Sequence, residues 1–159
     1  MANKSTNFLK NQNRDFNNVL DSMQNYSSIQ KLESTGAHTI LADTNLLVMT
    51  VDGAMTPTMP AALAGRRFKA IWQVEQATNN RVFTAAGSDT FAGNIFTSVA
   101  GDSAGDGDVV AIANTTVTIT CVDDVNIGSY LDFFCASDGL WLVTGHLVLD
   151  AVGNVPTLA

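Results

Sequence analysis

Residues 128–145 constrain the fold more than any other stretch of this chain. Two runs, Ser129 to Ala136 and Leu140 to Leu149, are rich in Tyr, Phe, Trp, Leu and Val and are joined through Ser137-Asp138-Gly139. Asp-Gly favours the positive φ angles of a tight turn, and the flanking residue types suit a pleated, half-buried surface. The spacing predicts a β-hairpin. A lone hairpin is marginal in water, so further strands must pair with it. Candidates are Thr39 to Ala42, Leu46 to Val51, Arg67 to Glu75, Arg81 to Ala85, Asn94 to Val99, Val109 to Ala113 and Thr115 to Val122. Turn signals separate them at Asp52-Gly53, Thr56-Pro57, Asn79-Asn80, Gly87-Ser88 and Asp123-Asp124. The expected fold class is therefore all-β, a single β-sandwich or jelly-roll-like barrel. No period of 20 to 50 residues repeats, which argues against solenoids and propellers.

Alternation assigns faces within these runs. Val117, Ile119 and Cys121 are expected to face the core while Thr116, Thr118 and Thr120 face out. In the final run Trp141, Val143, Leu147 and Leu149 share one face, with Leu140, Leu142 and Val148 on the other. A strand apolar on both sides is central in its sheet or lies in an interface. Cys135 falls on the face of Leu131 and Phe133. Both cysteines read as reduced core thiols, with a single cross-strand disulfide as the alternative.

Residues 1–37 differ from the rest and are read as an N-terminal arm, amphipathic helical or extended, before a β-domain at 38–159. Seven Asn lie in its first 25 positions, with Lys4, Lys10, Arg14 and Lys31 and no Gly or Pro before Gly36. Leu9, Phe16, Leu20 and Met23 share a helical face, flanked by Val19, and Tyr26 and Ile29 could extend it. Asn has weak helix propensity, so the stripe needs a surface to fold on, either its own domain or a neighbouring subunit.

With 159 residues and 46% hydrophobic content the chain can bury a core without disulfides or metals. Charged residues make up only 14%, so much of the surface is Ser, Thr, Asn, Gly and Ala. The net charge of −7 argues against tracking a phosphate backbone, which needs clustered Lys and Arg, and nucleic acid is not expected as a partner. No apolar run approaches the roughly 20 residues of a bilayer span, and the N-terminus lacks a secretory h-region. No membrane association or export is expected.

Gly101-Asp102-Ser103-Ala104-Gly105 matches the Gly-x-Ser-x-Gly pattern of serine hydrolases. A nucleophile elbow needs a strand before the Ser and a helix after it, and Gly105-Asp106-Gly107-Asp108 starts no helix. His38 precedes Ser103 but lies at the junction of arm and domain, without a histidine motif around it. The acidic loop Asp102 to Asp108 lacks EF-hand spacing and a closing bidentate Glu. His38 and His146 have no partner at metal-ligand spacing. No catalytic residue, cofactor or metal site is therefore expected. Arg66, Arg67 and Lys69 form a basic cluster in the acidic body. On a strand Arg67 and Lys69 share a face while Phe68 points to the core, so Arg67 and Lys69 join Leu9, Phe16, Leu20 and Met23 as interface candidates.

Taken in order, Met59 to Trp72, the Gly87-Ser88-Asp89 turn running to Gly93, and the hairpin of Gly128 to Gly145 resemble small β-rich proteins of tailed bacteriophages, specifically head-decoration (capsid cement) proteins. The resemblance covers roughly residues 38–150. It implies a virion protein made in the host cytoplasm that binds the outside of the assembled head and stabilises it. The implied partners are the major capsid protein and further copies of the chain, as a homotrimer at three-fold lattice positions. The alternative is a receptor-binding or fibre-tip module for host surface glycans, with Trp72, Trp141 and Tyr130 as stacking surfaces.

Overall fold

The computed structural model describes residues 28–77, 79–100, 107–151 and 154–159. Among them every regular element is a strand: β1 Ile29–Leu32, β2 Gly36–Thr39, β3 Leu46–Met49, β4 Met55–Thr58, β5 Arg67–Trp72, β6 Arg81–Thr84, β7 Thr90–Val99, β8 Val109–Thr116, β9 Thr118–Cys121, β10 Tyr130–Ser137, β11 Leu140–Leu149 and β12 Thr157–Leu158. They form two sheets, ordered β1-β3-β5-β10-β11-β7-β8 and β12-β9-β6-β4-β2. The all-β expectation holds for the described residues.

From β1 to β6 the chain alternates between the sheets, so that β1, β3 and β5 lie parallel in one and β2, β4 and β6 parallel in the other. This is a three-turn winding without any sequence repeat, and it is not the all-antiparallel order of a jelly-roll. Repetition in sequence is unnecessary because each turn has its own connection lengths, and pairing is set by backbone groups rather than by identical side chains. The remaining strands complete the sheets by antiparallel pairing, except that β11 and β7 run parallel over ten residue pairs.

The hairpin forms as expected. Phe133 lies opposite Val143 and Cys135 opposite Trp141, with a register shift before Ser137 and Leu140. Gly139 takes φ +83°, and Asp138 accepts a hydrogen bond from the Ala64 amide at 2.9 Å. β11 is central in the seven-stranded sheet, as its apolar residues on both sides require. Gly93, at φ +136°, faces the Val143 backbone so closely that a Cβ there would collide with it.

Between the sheets lies an aromatic core. Phe68 stacks on Phe133 at 4.7 Å between centroids, and Trp141 meets Phe68 edge-on at 5.8 Å. Phe83, from the five-stranded sheet, reaches Phe133 at 5.3 Å and Trp72 at 6.3 Å, joining the two layers. Gln76 is fully buried and satisfied. Its Nε2 donates to the carbonyls of Cys121 and Val122, and its Oε1 accepts from Trp72 Nε1 at 3.0 Å. Arg81 is also buried. It donates to the Val51 carbonyl at 2.7 Å and sits over the Trp72 ring, while its Nε and Nη1 lack partners. Burial lowers its pKa to about 10.

Several expectations need correction. The β-structure begins at Ile29, not residue 38: β1 and β2 belong to the two sheets. Ile29, which could extend the helical stripe by its spacing, is a strand residue. Gln30 anchors this stretch, donating to Thr39 O and accepting from the Leu41 amide and Thr44 Oγ1, each at 2.9 Å. Thr56-Pro57 is no turn. Pro57 lies in β4, whose ladder to β6 runs through Met55 and Thr58 and so bypasses the residue without an N–H. Val117 is 43% exposed and Thr116 buried, the reverse of the alternation argument, because the chain leaves one sheet after Thr116 and enters the other at Thr118. Ile119 and Cys121 do face the core, and Thr118 and Thr120 are half-exposed. Cys121 and Cys135 are free, buried thiols on different sheets.

Candidate functional site

The two outer faces differ in chemistry. On the five-stranded sheet Thr39, Thr58, Thr84 and Thr118 align across four neighbouring strands, with Thr120 beside Thr157 in an adjacent row. β-branched hydroxyl side chains suit a hydrated sheet surface.

The outer face of the seven-stranded sheet is mixed: two rows rich in apolar and aromatic residues flank a polar row of Lys69, Asp132, Thr144 and Asn94. Strand pairing brings Lys31, Val48, Ile71, Tyr130, His146, Phe96 and Val109 into one continuous row across all seven strands. A second row runs Arg67, Phe134, Leu142 and Ala92. Phe96 is 51% exposed, Phe134 45% and Leu142 38%. Such a row arises because β10 and β11 carry apolar residues at successive positions, so a period of two sends one set inward and the other out. Scattered exposed apolar residues are normal, but large aromatic and apolar side chains grouped in two rows on one sheet face, with polar residues between, fit an interaction surface.

Arg67 and Lys69 lie on this face, as expected, with Phe68 buried beneath. Lys69 Nζ is 3.3 Å from Asp132 Oδ2 and 4.4 Å from the centre of the Tyr130 ring. With its charge matched and its stem over an aromatic ring, Lys69 adds little net charge to the face. A depression of about 630 Å³ lies here, lined by Asn45, Arg67, Lys69, Asp132 and Phe134 among others. A second groove of about 470 Å³ opens toward β1, between Ile29, Lys31, Val48, Ile71 and Ile127.

Leu9, Phe16, Leu20 and Met23 lie outside the described residues, as does Ser103 with most of the acidic loop. Trp72 and Trp141 are buried at 1% and 0% exposure and present no stacking surface; Tyr130 is half-buried on the outer face. His38 Nε2 bonds the Ser34 carbonyl and His146 Nε2 bonds Ser98 Oγ, each at 2.8 Å. Among the described residues no three His, Cys, Asp or Glu side chains converge as a metal-ligand set.

Sequence reasoning missed Phe96, Phe134 and Ile29 as parts of this surface. The signal was present for Phe134: in Phe133-Phe134 both ring positions cannot face one core. Comparison with protein-family models, curated proteins and solved structures gives no match.

Proposed function

We propose that the protein is a structural protein of a phage virion, a β-sandwich that decorates the outside of the assembled head and acts by binding alone. The observation that carries this reading is the contrast between faces: a seven-stranded face where exposed aromatic and apolar side chains stand beside Lys31, Arg67, Lys69 and Asp132, backed by a face of uncharged threonine rows. A protein fixed on a shell needs one side that excludes water and one that keeps it. Seven strands at about 4.8 Å spacing and roughly 20 to 30 Å of strand give a face of about 600 to 900 Å², comparable with one side of a standard protein interface. Binding the assembled shell but not its separated parts lowers the shell's free energy by mass action. The partner in this reading is the major capsid protein. The family resemblance adds self-association as a trimer, and the location is the capsid surface.

The copy number tests it. Quantitative mass spectrometry of purified particles is expected to find hundreds of copies per virion. A handful would place the protein on fibres or tail, and none would end the virion reading. The glycan-binding alternative is disfavoured by the burial of Trp72 and Trp141.

A further inference from the structure

We propose that the depression beside Arg67 is a docking site for an acidic peptide segment of a partner protein, with Arg67 taking a carboxylate and Phe134 the apolar side chain next to it. That the partner is the shell rests on the function proposed above; the chemistry of the site does not. The length of β3 builds the depression. Its pairing with β5 begins at Leu46 opposite Lys69, with the Lys69 amide donating to the Asn45 carbonyl at 3.0 Å. Arg67 lies past that end, so on one side no strand stands beside it, and the outer face opens into the space of about 630 Å³ between Asn45, Arg67, Asp132 and Phe134.

Charge selects the occupant. Three of the cations among the described residues fall within the four positions from Arg66 to Lys69, and they differ in what holds them. Arg66 Nη1 donates to the Ala61 carbonyl at 2.6 Å, and Lys69 is matched by Asp132 at 3.3 Å. Arg67 is exposed and, among the described residues, has no carboxylate within ion-pair distance, although the chain carries 15 acidic residues against 8 basic ones. With Asp132 already engaged by Lys69, the charge left over in this depression is the Arg67 guanidinium, whose planar fork takes a carboxylate through two parallel bonds. Lys31, the other exposed cation without a carboxylate, stands on β1 among Val48, Ile71 and Ile127.

The ring beside Arg67 says what accompanies the carboxylate. The Cys135 amide bonds the Arg66 carbonyl and the Trp72 amide bonds the Ser129 carbonyl, so the hydrogen-bonded pairs of β5 and β10 fall on even-numbered residues of β5. Arg67 and Phe134 therefore form a non-hydrogen-bonded pair, in which side chains stand closest, and one ligand can touch both. Phe134 is 45% exposed and continues into Leu142 and Ala92 on the next two strands. That aliphatic continuation fits a peptide side chain. A sugar acid would need free polar groups around the ring for its hydroxyls, and here Lys69 and Asp132 are engaged with each other.

The test uses the full chain, isotope-labelled for amide NMR, and three probes: acetyl-Leu-Glu-Leu-Glu-Leu-amide, the same peptide with Gln for both Glu, and galacturonate. The Glu peptide is expected to shift the Arg67, Lys69 and Phe134 amides saturably and to bind about tenfold tighter than the Gln peptide, the worth of a charge-assisted bond. That preference should vanish in Arg67→Gln and persist in Lys31→Gln. Equal binding of the two peptides, or a preference that survives Arg67→Gln, would overturn the site, and tighter binding of galacturonate would assign it to acidic glycans instead. With purified heads, Arg67→Gln should weaken co-sedimentation about tenfold and Lys31→Gln should leave it unchanged. Heads bound equally by parent and Arg67→Gln would sink the site and leave the virion reading standing. The Glu preference intact with no binding of heads by the parent would do the reverse.

Discussion

The two tryptophans make a matched pair for testing how buried polar groups set stability here. Both are buried, yet Trp72 Nε1 donates to Gln76 Oε1 at 3.0 Å whereas Trp141 Nε1 has no partner. Replacing either by Phe removes a similar apolar area, roughly 50 Å² or about 1 kcal/mol at 25 cal/mol per Å². The rest of the effect differs in sign. Trp72→Phe also loses a hydrogen bond worth about 1 kcal/mol and orphans the buried Gln76 Oε1 at about 1 to 3 kcal/mol, whereas Trp141→Phe relieves an unsatisfied N–H of about the same cost. Trp72→Phe should therefore destabilise by about 3 to 5 kcal/mol, and Trp141→Phe should leave the protein as stable as the parent or up to about 2 kcal/mol more stable. Urea denaturation checks this, because each variant keeps the other indole as its fluorescence reporter. Equal losses in the two variants would refute the reasoning. Trp141→Ala, which also removes the contact with Phe68, should cost about 3 to 5 kcal/mol.

On the outer face, Phe134→Thr with Leu142→Thr keeps β-branched residues at this cross-strand pair and should cost no more than about 2 kcal/mol in chemical denaturation yet abolish sedimentation with heads, since these side chains stand on the surface and not in the core. Gly93→Ala should cost more than about 3 kcal/mol, because φ +136° disfavours any side chain and the Cβ meets the Val143 backbone; a Tm within a few degrees of the parent would contradict the close approach. Burial raises the Cys121 pKa to about 12 and also pushes Cys135 upward. Unfolded thiols ionise first, so stability is full below pH 9 and falls as pH rises through the folded values. Between pH 9 and 10, where Arg81 begins to lose its proton in parent and variant alike, Cys121→Ala should show a shallower fall of Tm than the parent.

What could be read from the residues, and what could not, follows the range of the interactions. The β10–β11 hairpin is legible because its turn chemistry and alternation are local. β1 is not: its pairing with β3 depends on a partner 17 positions away, and a four-residue strand within an Asn-rich context carries too little pattern of its own. β4 hides behind Thr56-Pro57, a turn signal that tertiary pairing overrides. Val117 was assigned inward because period-two reasoning assumes one continuous strand, and the change of sheet at that residue breaks the period. Arg67 and Lys69 were placed correctly from alternation alone. The row across seven strands was beyond reach, since it exists only once register brings Ile71, Tyr130, His146 and Phe96 side by side.

The alternating course of β1 to β6 has a consequence for how the chain emerges from the ribosome. Three turns are made before the strands on which they rest exist: β5 is flanked by β10, with Phe68 opposite Phe133, and β6 by β9, with Phe83 opposite Ile119. The first half of the polypeptide must therefore wait, with its edges open, until the second half has been synthesised, and the apolar strands β3 and β5 are exposed during that interval. A nascent chain stalled before residue 130 should remain protease-sensitive along its whole length, and protection should arrive late and nearly at once, when the hairpin that closes the seven-stranded sheet clears the exit tunnel.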